Sequence, residues 1–137
     1  MSLGVTPVEA AWQPASAQTL PSFQGNTYVL SETQQIKLNL YNEVIEQGLT
    51  YSDFQLLVKI ARCESGIRHT YDDGSLVLGP DKKDTGLFQI RLPVHEAQAK
   101  ELGVDILDQL GNIQYAVHLY KKNGVKPWYS SKKCWGS

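Results

Sequence analysis

A mainly helical α+β domain, with one small β or loop lobe, is the fold class this sequence predicts. Three observations carry that expectation. Apolar residues recur at helical spacing in three separate segments, near 36–45, 54–61 and 113–120. Between the second and third of these, residues 67–85 lose the period and collect turn formers. The chain has 137 residues, room for one core and not for two comfortable ones.

Residues 1–30 read as a linker or extended N-terminal segment: Pro7, Pro14 and Pro21 fall among Ala, Ser, Gln and Thr. Trp12, Phe23 and Tyr28 are the aromatics there that would dock on a domain. Order is expected from Ser31, a good N-cap, and the catalytic or binding domain to occupy 31–137. Ile36, Leu40 and Val44, with Tyr41 and Ile45, then form one helical stripe as far as Gly48. Thr50-Tyr51-Ser52-Asp53 caps a second helix, whose Phe54, Leu57, Val58 and Ala61 repeat at i, i+3, i+4 and i+7. Asp72-Asp73-Gly74-Ser75 signals a turn beside the short apolar run Leu76-Val77-Leu78, which fits a small hairpin or irregular lobe. Helical signals return at about 94–102 and stop at Gly103. Asp108 or Gly111-Asn112 opens the next helix, which buries Ile113, Ala116, Val117 and Tyr120 and ends at Asn123-Gly124. Pro127-Trp128 turns the chain into a short tail with Cys134-Trp135.

Composition excludes several functions. A formal net charge of −1 creates no field that recruits nucleic acid. No apolar run approaches a membrane span. His69, His95 and His118 are scattered, and no Cys/His cluster has zinc-site spacing, so metal binding is not expected. No leader pattern of a basic region followed by an apolar block opens the chain.

The chemistry rests on few residues. Glu64 lies one heptad after Leu57 and one turn after Ile60, so its neighbours on the helix are apolar. A carboxyl against apolar groups has its charged form disfavoured, and a raised pKa suits a general acid near neutral pH. Spacing alone favours a plainer role, a helix-end glutamate facing solvent or pairing with Arg62 or Arg68. Cys63 points about 100° away from Glu64, which suits a bridge to Cys134 behind the helix or an unpaired thiol. Ser65 either bonds near the acid or caps the helix end. Gly86 permits a tight approach of backbone to ligand or an unusual dihedral. Gln89 has an amide that would orient a sugar amide or bond backbone. Asp84 is the best second carboxylate, and equally an N-cap for the segment after it. Tyr120 and Trp128 supply aromatic surface for sugar faces or for core packing.

In order, the chain presents Glu64-Ser65 closing a helix, Gly86-Leu87-Phe88-Gln89-Ile90, and Asn112-Ile113 opening a later helix. Asn123-Gly124, Pro127-Trp128 and Cys134-Trp135 come next. This ordered set resembles the lysozyme-like superfamily, and within it the transglycosylase SLT domain of bacterial lytic transglycosylases, over roughly residues 50–136. The resemblance implies a lysozyme-like fold in which the helices and the small lobe flank a glycan cleft. It implies Glu64 as acid/base, with Gln89 and the backbone from Gly86 to Phe88 lining the cleft. Trp128 is similar to the tryptophan near the catalytic glutamate of animal lysozymes. Tyr120 is the nearest substitute for the tyrosine of an Ala-Tyr-Asn segment, which this chain lacks. Arg91 stands where that family often has asparagine.

The implied partner is the peptidoglycan glycan strand, cleaved without metal or cofactor by a monomer outside the cytoplasm between N-acetylmuramic acid and N-acetylglucosamine to give 1,6-anhydro products. The long loop from Glu64 to Gly86, with Asp84 two residues before the glycine, is closer to animal lysozymes. It opens a second possibility, a hydrolytic muramidase using Glu64 with Asp84. A third is a glycan-binding or assembly module without turnover.

Overall fold

The computed structural model describes residues 28–136. The proposed linker therefore lies outside the described residues except for positions 28–30, as do Trp12 and Phe23; Tyr28 is described and exposed. Residues from Ser31 onward form one compact unit.

Helix α1 runs Glu32–Glu46, with Ser31 as N-cap in a reciprocal capping box with Gln34. Helix α2 runs Tyr51–Ser65, opened the same way by Thr50 and Asp53. The two caps satisfy backbone donors that helix starts leave orphaned, so both helices begin where the sequence expects. Ile36, Leu40 and Val44 are buried on α1. Tyr41 and Ile45, expected on the same stripe, stay substantially exposed at its edge, where Tyr41 meets Phe54 edge-on at 5.5 Å. Leu57, Ile60 and Ala61 are the buried positions of α2. Gly66, at φ 70°, stops that helix in the left-handed region that glycine tolerates.

The lobe comes next. Tyr71 to Ser75 form the expected turn, with the Gly74 N–H on the Tyr71 carbonyl. The β pairing lies later than the apolar run suggested. Strands β1 (Asp84–Thr85) and β2 (Ile90–Arg91) pair antiparallel, with Asp84 opposite Arg91 and Thr85 opposite Ile90. Leu76 and Leu78 make only single bridges, to Thr70 and Thr85.

Helix α3 spans Leu92–Glu101, starting two residues before the expected boundary because Pro93 fits a first helical turn, where its missing N–H costs nothing. Helix α4 spans Gln109–Asn123, capped by Asp108, and is the buried axis of the domain. Gly111, Asn112, Ile113, Tyr115, Ala116, Val117 and Leu119 are all buried there. The tail is helical where only a turn and a tail were expected: a 3-10 helix, Lys126–Ser131, runs into α5, Lys132–Trp135. Helix α1 packs on α2 and α4, and the tail elements pack on α2 and on α4. A Cys63–Cys134 disulfide fixes α5 to the last turn of α2. No described helix is long and apolar enough to cross a membrane.

Candidate active site

The last turn of α2, the β hairpin, the start of α3 and the tail surround an open cleft of about 350 Å³. Glu64 and Asp84 both line it, with Gln89, Arg91 and His95, while Leu119, Pro127 and Trp128 form apolar wall.

Glu64 owes its position to the helix beneath it. Leu57 and Ile60 turn inward at 0% exposure, and the same helical face brings the next carboxyl to the core's edge. Burial is the main influence on it and raises its pKa above the usual glutamate value; the Ser131 hydroxyl bond opposes this and the negative charge of Asp84 adds to it. Ser131 Oγ donates to Glu64 Oε2 at 2.5 Å.

Asp84 stands on β1 opposite Arg91. The guanidinium takes Asp84 Oδ1 at 3.1 Å and Asp81 Oδ2 at 2.8 Å. Asp81 is held below the usual aspartate value by the Lys83 N–H first and by Arg91 second. The second carboxylate of the cleft is thus a surface ion pair built into the hairpin register. It is neither free nor a helix N-cap.

Gln89 caps the hairpin turn in the left-handed region, φ 49°, an uncommon conformation for a residue with a side chain. Its amide donates to the Gly86 carbonyl at 3.0 Å and the Val77 carbonyl at 3.3 Å. Backbone bonding is therefore what its Nε2 does, while the side chain still lines the cleft. Oε1 sits over Gly79, where an added Cβ would come within 3.0 Å of it.

Gly86 and Phe88 lie beneath the cleft and do not line it. Gly86 is buried at φ 75°, and a Cβ there would fall 2.5 Å from the His69 ring and 2.7 Å from Asn112 Nδ2. Of the two uses expected for this glycine, the unusual dihedral is the one observed, and the close approach is to the His69 and Asn112 side chains. Phe88 is fully buried against Trp128, ring centres 5.9 Å apart. Ser65 likewise works as a strap: its hydroxyl reaches the Leu87 carbonyl at 2.7 Å and accepts from the Arg68 N–H. Trp128 does both jobs, lining the cleft while its indole N–H donates to the Phe88 carbonyl at 3.0 Å.

Tyr120 does not join the site. Its hydroxyl bonds Asp53 Oδ1 at 2.5 Å, in the first turn of α2. Glu64 is in the last turn of that helix, ~16 Å away along the axis at about 1.5 Å per residue. Burial first, then Asp53, pushes Tyr120 up to about 12.

Asn112 ties the whole hairpin to α4. Fully buried, it accepts from the Phe88 N–H at 2.9 Å and donates to the Thr85 and Ile106 carbonyls at 3.0 Å each. His69 supports the same turn: Nδ1 takes the Leu87 N–H and Nε2 lies 2.7 Å from the Leu107 carbonyl, so the proton is on Nε2.

Sequence reasoning missed His95 and Ser131. Tyr115 donates its hydroxyl proton to Gln98, so His95 Nδ1, 2.9 Å from that oxygen, is the donor of their hydrogen bond. Burial lowers the pKa of His95 below the usual histidine value. No periodicity reveals a rim position at the start of α3. Ser131 had a signal: it stands one turn before Cys134, whose partner Cys63 adjoins Glu64.

Among the described residues, no group of three His, Cys, Asp or Glu is placed to hold a metal ion. Comparison with protein-family models, with curated proteins and with solved structures gives no match for this chain.

Proposed function

We propose that this protein is a lysozyme-like glycosidase of the lytic transglycosylase kind, acting on peptidoglycan strands with Glu64 as general acid and base. The observation that supports this most is Glu64 itself: a carboxyl whose pKa burial raises, opening on a cleft walled by Trp128 and Leu119. An acid kept protonated toward neutral pH is what departure of a sugar oxygen requires.

In this reading Glu64 gives its proton to the glycosidic oxygen as the bond to C1 breaks. The 2-acetamido group of the muramic acid residue stabilises the electron-poor C1, so no protein nucleophile is required. The Glu64 carboxylate then takes the proton of the C6 hydroxyl, whose oxygen bonds C1 and closes the 1,6-anhydro ring. Arg91 supports this route over the hydrolytic one to the extent that its guanidinium holds Asp84 Oδ1 and offsets the charge a nucleophile or base would use, leaving Oδ2 outside that ion pair. Asp84 then serves mainly by its charge, which favours the protonated Glu64.

One observation favours the hydrolytic muramidase as a second reading: Asp84 and Glu64 do line one cleft. An extracytoplasmic site of action is supported by the Cys63–Cys134 bridge, since such bonds persist in oxidising compartments. The test is release of soluble fragments from purified peptidoglycan. Wild type is expected to release them, and Glu64→Gln to lose release by roughly 10²–10⁴-fold. Equal release by both would overturn the assignment, and no release by either would favour a glycan-binding module.

A further inference from the structure

The tail carries an uncharged residue against the acid whose geometry is more specific than packing requires. Ser131 Oγ lies 2.5 Å from Glu64 Oε2, 3.1 Å from the Trp128 carbonyl and 3.0 Å from Trp135 Nε1. The indole can only donate, so it supplies a proton to Oγ and turns the serine's own hydrogen outward. A hydroxyl has one hydrogen, and the shorter contact, to Glu64, is where it goes. Glu64 Oε1 has no hydrogen-bond partner among the described residues and is not among the buried polar atoms left unpaired, so it faces the cleft.

We infer that Ser131 is a positioning residue: its hydroxyl occupies Glu64 Oε2, and so assigns the transferable proton to Oε1, the oxygen that opens on the cleft. The inference rests on the reading of Glu64 as the acid. Oε2, accepting from Ser131, is better served as the carbonyl oxygen, the stronger acceptor of the two, which leaves the proton on Oε1, where it faces substrate. Once Oε1 has given its proton away, the same serine bond steadies the carboxylate until it takes a proton back. The serine's O–H bond does not break at either step. Trp135 aims the serine, and the Cys63–Cys134 bridge anchors Trp135's helix to the residue before Glu64. The tail is thereby part of the acid's machinery.

Other groups face the same carboxyl. Asp84 from β1 raises its pKa by charge, and Arg91 from β2 and His95 from α3 line the same cleft; no charged tail side chain lines it. The serine's influence is opposite in sign to that of Asp84.

The test is a carbon-13 NMR titration of the Glu64 carboxyl in wild type, Ser131→Ala and Ser131→Thr, with turnover of peptidoglycan measured alongside. Ser131→Ala is expected to fold, because Trp135 Nε1 keeps the Trp128 carbonyl at 3.2 Å. Its Glu64 midpoint should move upward, and Ser131→Thr, which keeps a hydroxyl, should return it toward wild type. Turnover in Ser131→Ala should fall roughly tenfold in kcat, as loss of one charge-assisted bond predicts, with KM little changed. An unmoved midpoint, or a fall confined to KM, overturns the proposal. So does a midpoint that moves in both variants alike. The titration needs no turnover, so a chain that cleaves nothing would refute the enzymatic reading separately while the NMR arm still decides the hydrogen bond.

Discussion

Replacing Asn112 by alanine should cost more than any surface substitution, because one side chain there completes three buried hydrogen bonds. Its loss strips an acceptor from the Phe88 N–H and donors from the Thr85 and Ile106 carbonyls. Asn112 is 0% exposed, so these groups lie away from bulk solvent. An unpaired buried polar group costs about 1–3 kcal/mol, and carbonyls with a second lone pair fall at the low end. The sum is about 3–5 kcal/mol, a large part of the 5–15 kcal/mol typical of a whole domain. Equilibrium urea unfolding measures it directly, with Asn39→Ala as control. Asn39 is a half-buried helix residue whose side chain accepts one solvent-exposed amide bond from Gln35, and its loss should stay within about 0.5 kcal/mol. With a slope of about 1–2 kcal/mol per molar, the Asn112→Ala midpoint should fall by roughly 1.5–5 M or leave no folded baseline. A loss below about 1 kcal/mol would refute the claim that Asn112 holds the hairpin under the cleft.

The disulfide and the buried acid each predict a further outcome. Replacing both Cys63 and Cys134 by serine opens a loop with a sequence separation of 71, and chain entropy alone predicts a loss of about 4 kcal/mol in urea unfolding; a loss under about 1 kcal/mol would contradict it. Glu64→Gln should change stability in a pH-dependent way. Burial raises the folded-state pKa of Glu64, so its contribution is fully present below the unfolded pKa and is lost as pH rises through the folded one. The glutamine variant should therefore gain on wild type as pH rises through that window, read as the difference in unfolding temperature at pH 4 and pH 8; a gain that is larger at pH 4 would reverse the sign of the argument.

How much of this was legible in the sequence depends on what each feature rests on. Helices α1 and α2 were legible because their caps are local: Ser31 with Gln34 and Thr50 with Asp53 are three residues apart. The start of α3 was obscured because Arg91 makes no side-chain cap bond and Pro93 is compatible with either a loop or a first turn. The burial of Glu64 was half legible: its apolar neighbours are on its own helix, yet spacing alone favoured a solvent-facing or ion-paired glutamate. Tyr120 was misplaced for the complementary reason: periodicity says that a face is buried but not which end of the neighbouring helix it meets. Gly86 and Phe88 were expected in the cleft and lie under it, since their depth is set by Asn112 and His69 from distant parts of the chain. Ser131 reaches Glu64 across 67 positions, a contact that only the folded tail and its bridge bring about.

The central claim is that Glu64 transfers a proton to and from a glycan strand in this cleft. Mass spectrometry of the soluble products from purified peptidoglycan, wild type beside Glu64→Gln, tests it most directly. The account predicts fragments one water lighter than hydrolytic muropeptides, absent with the variant. Reducing-end fragments that depend on Glu64 would keep the acid and shift the reaction to hydrolysis with Asp84. Products of either kind that persist undiminished in Glu64→Gln would contradict the account.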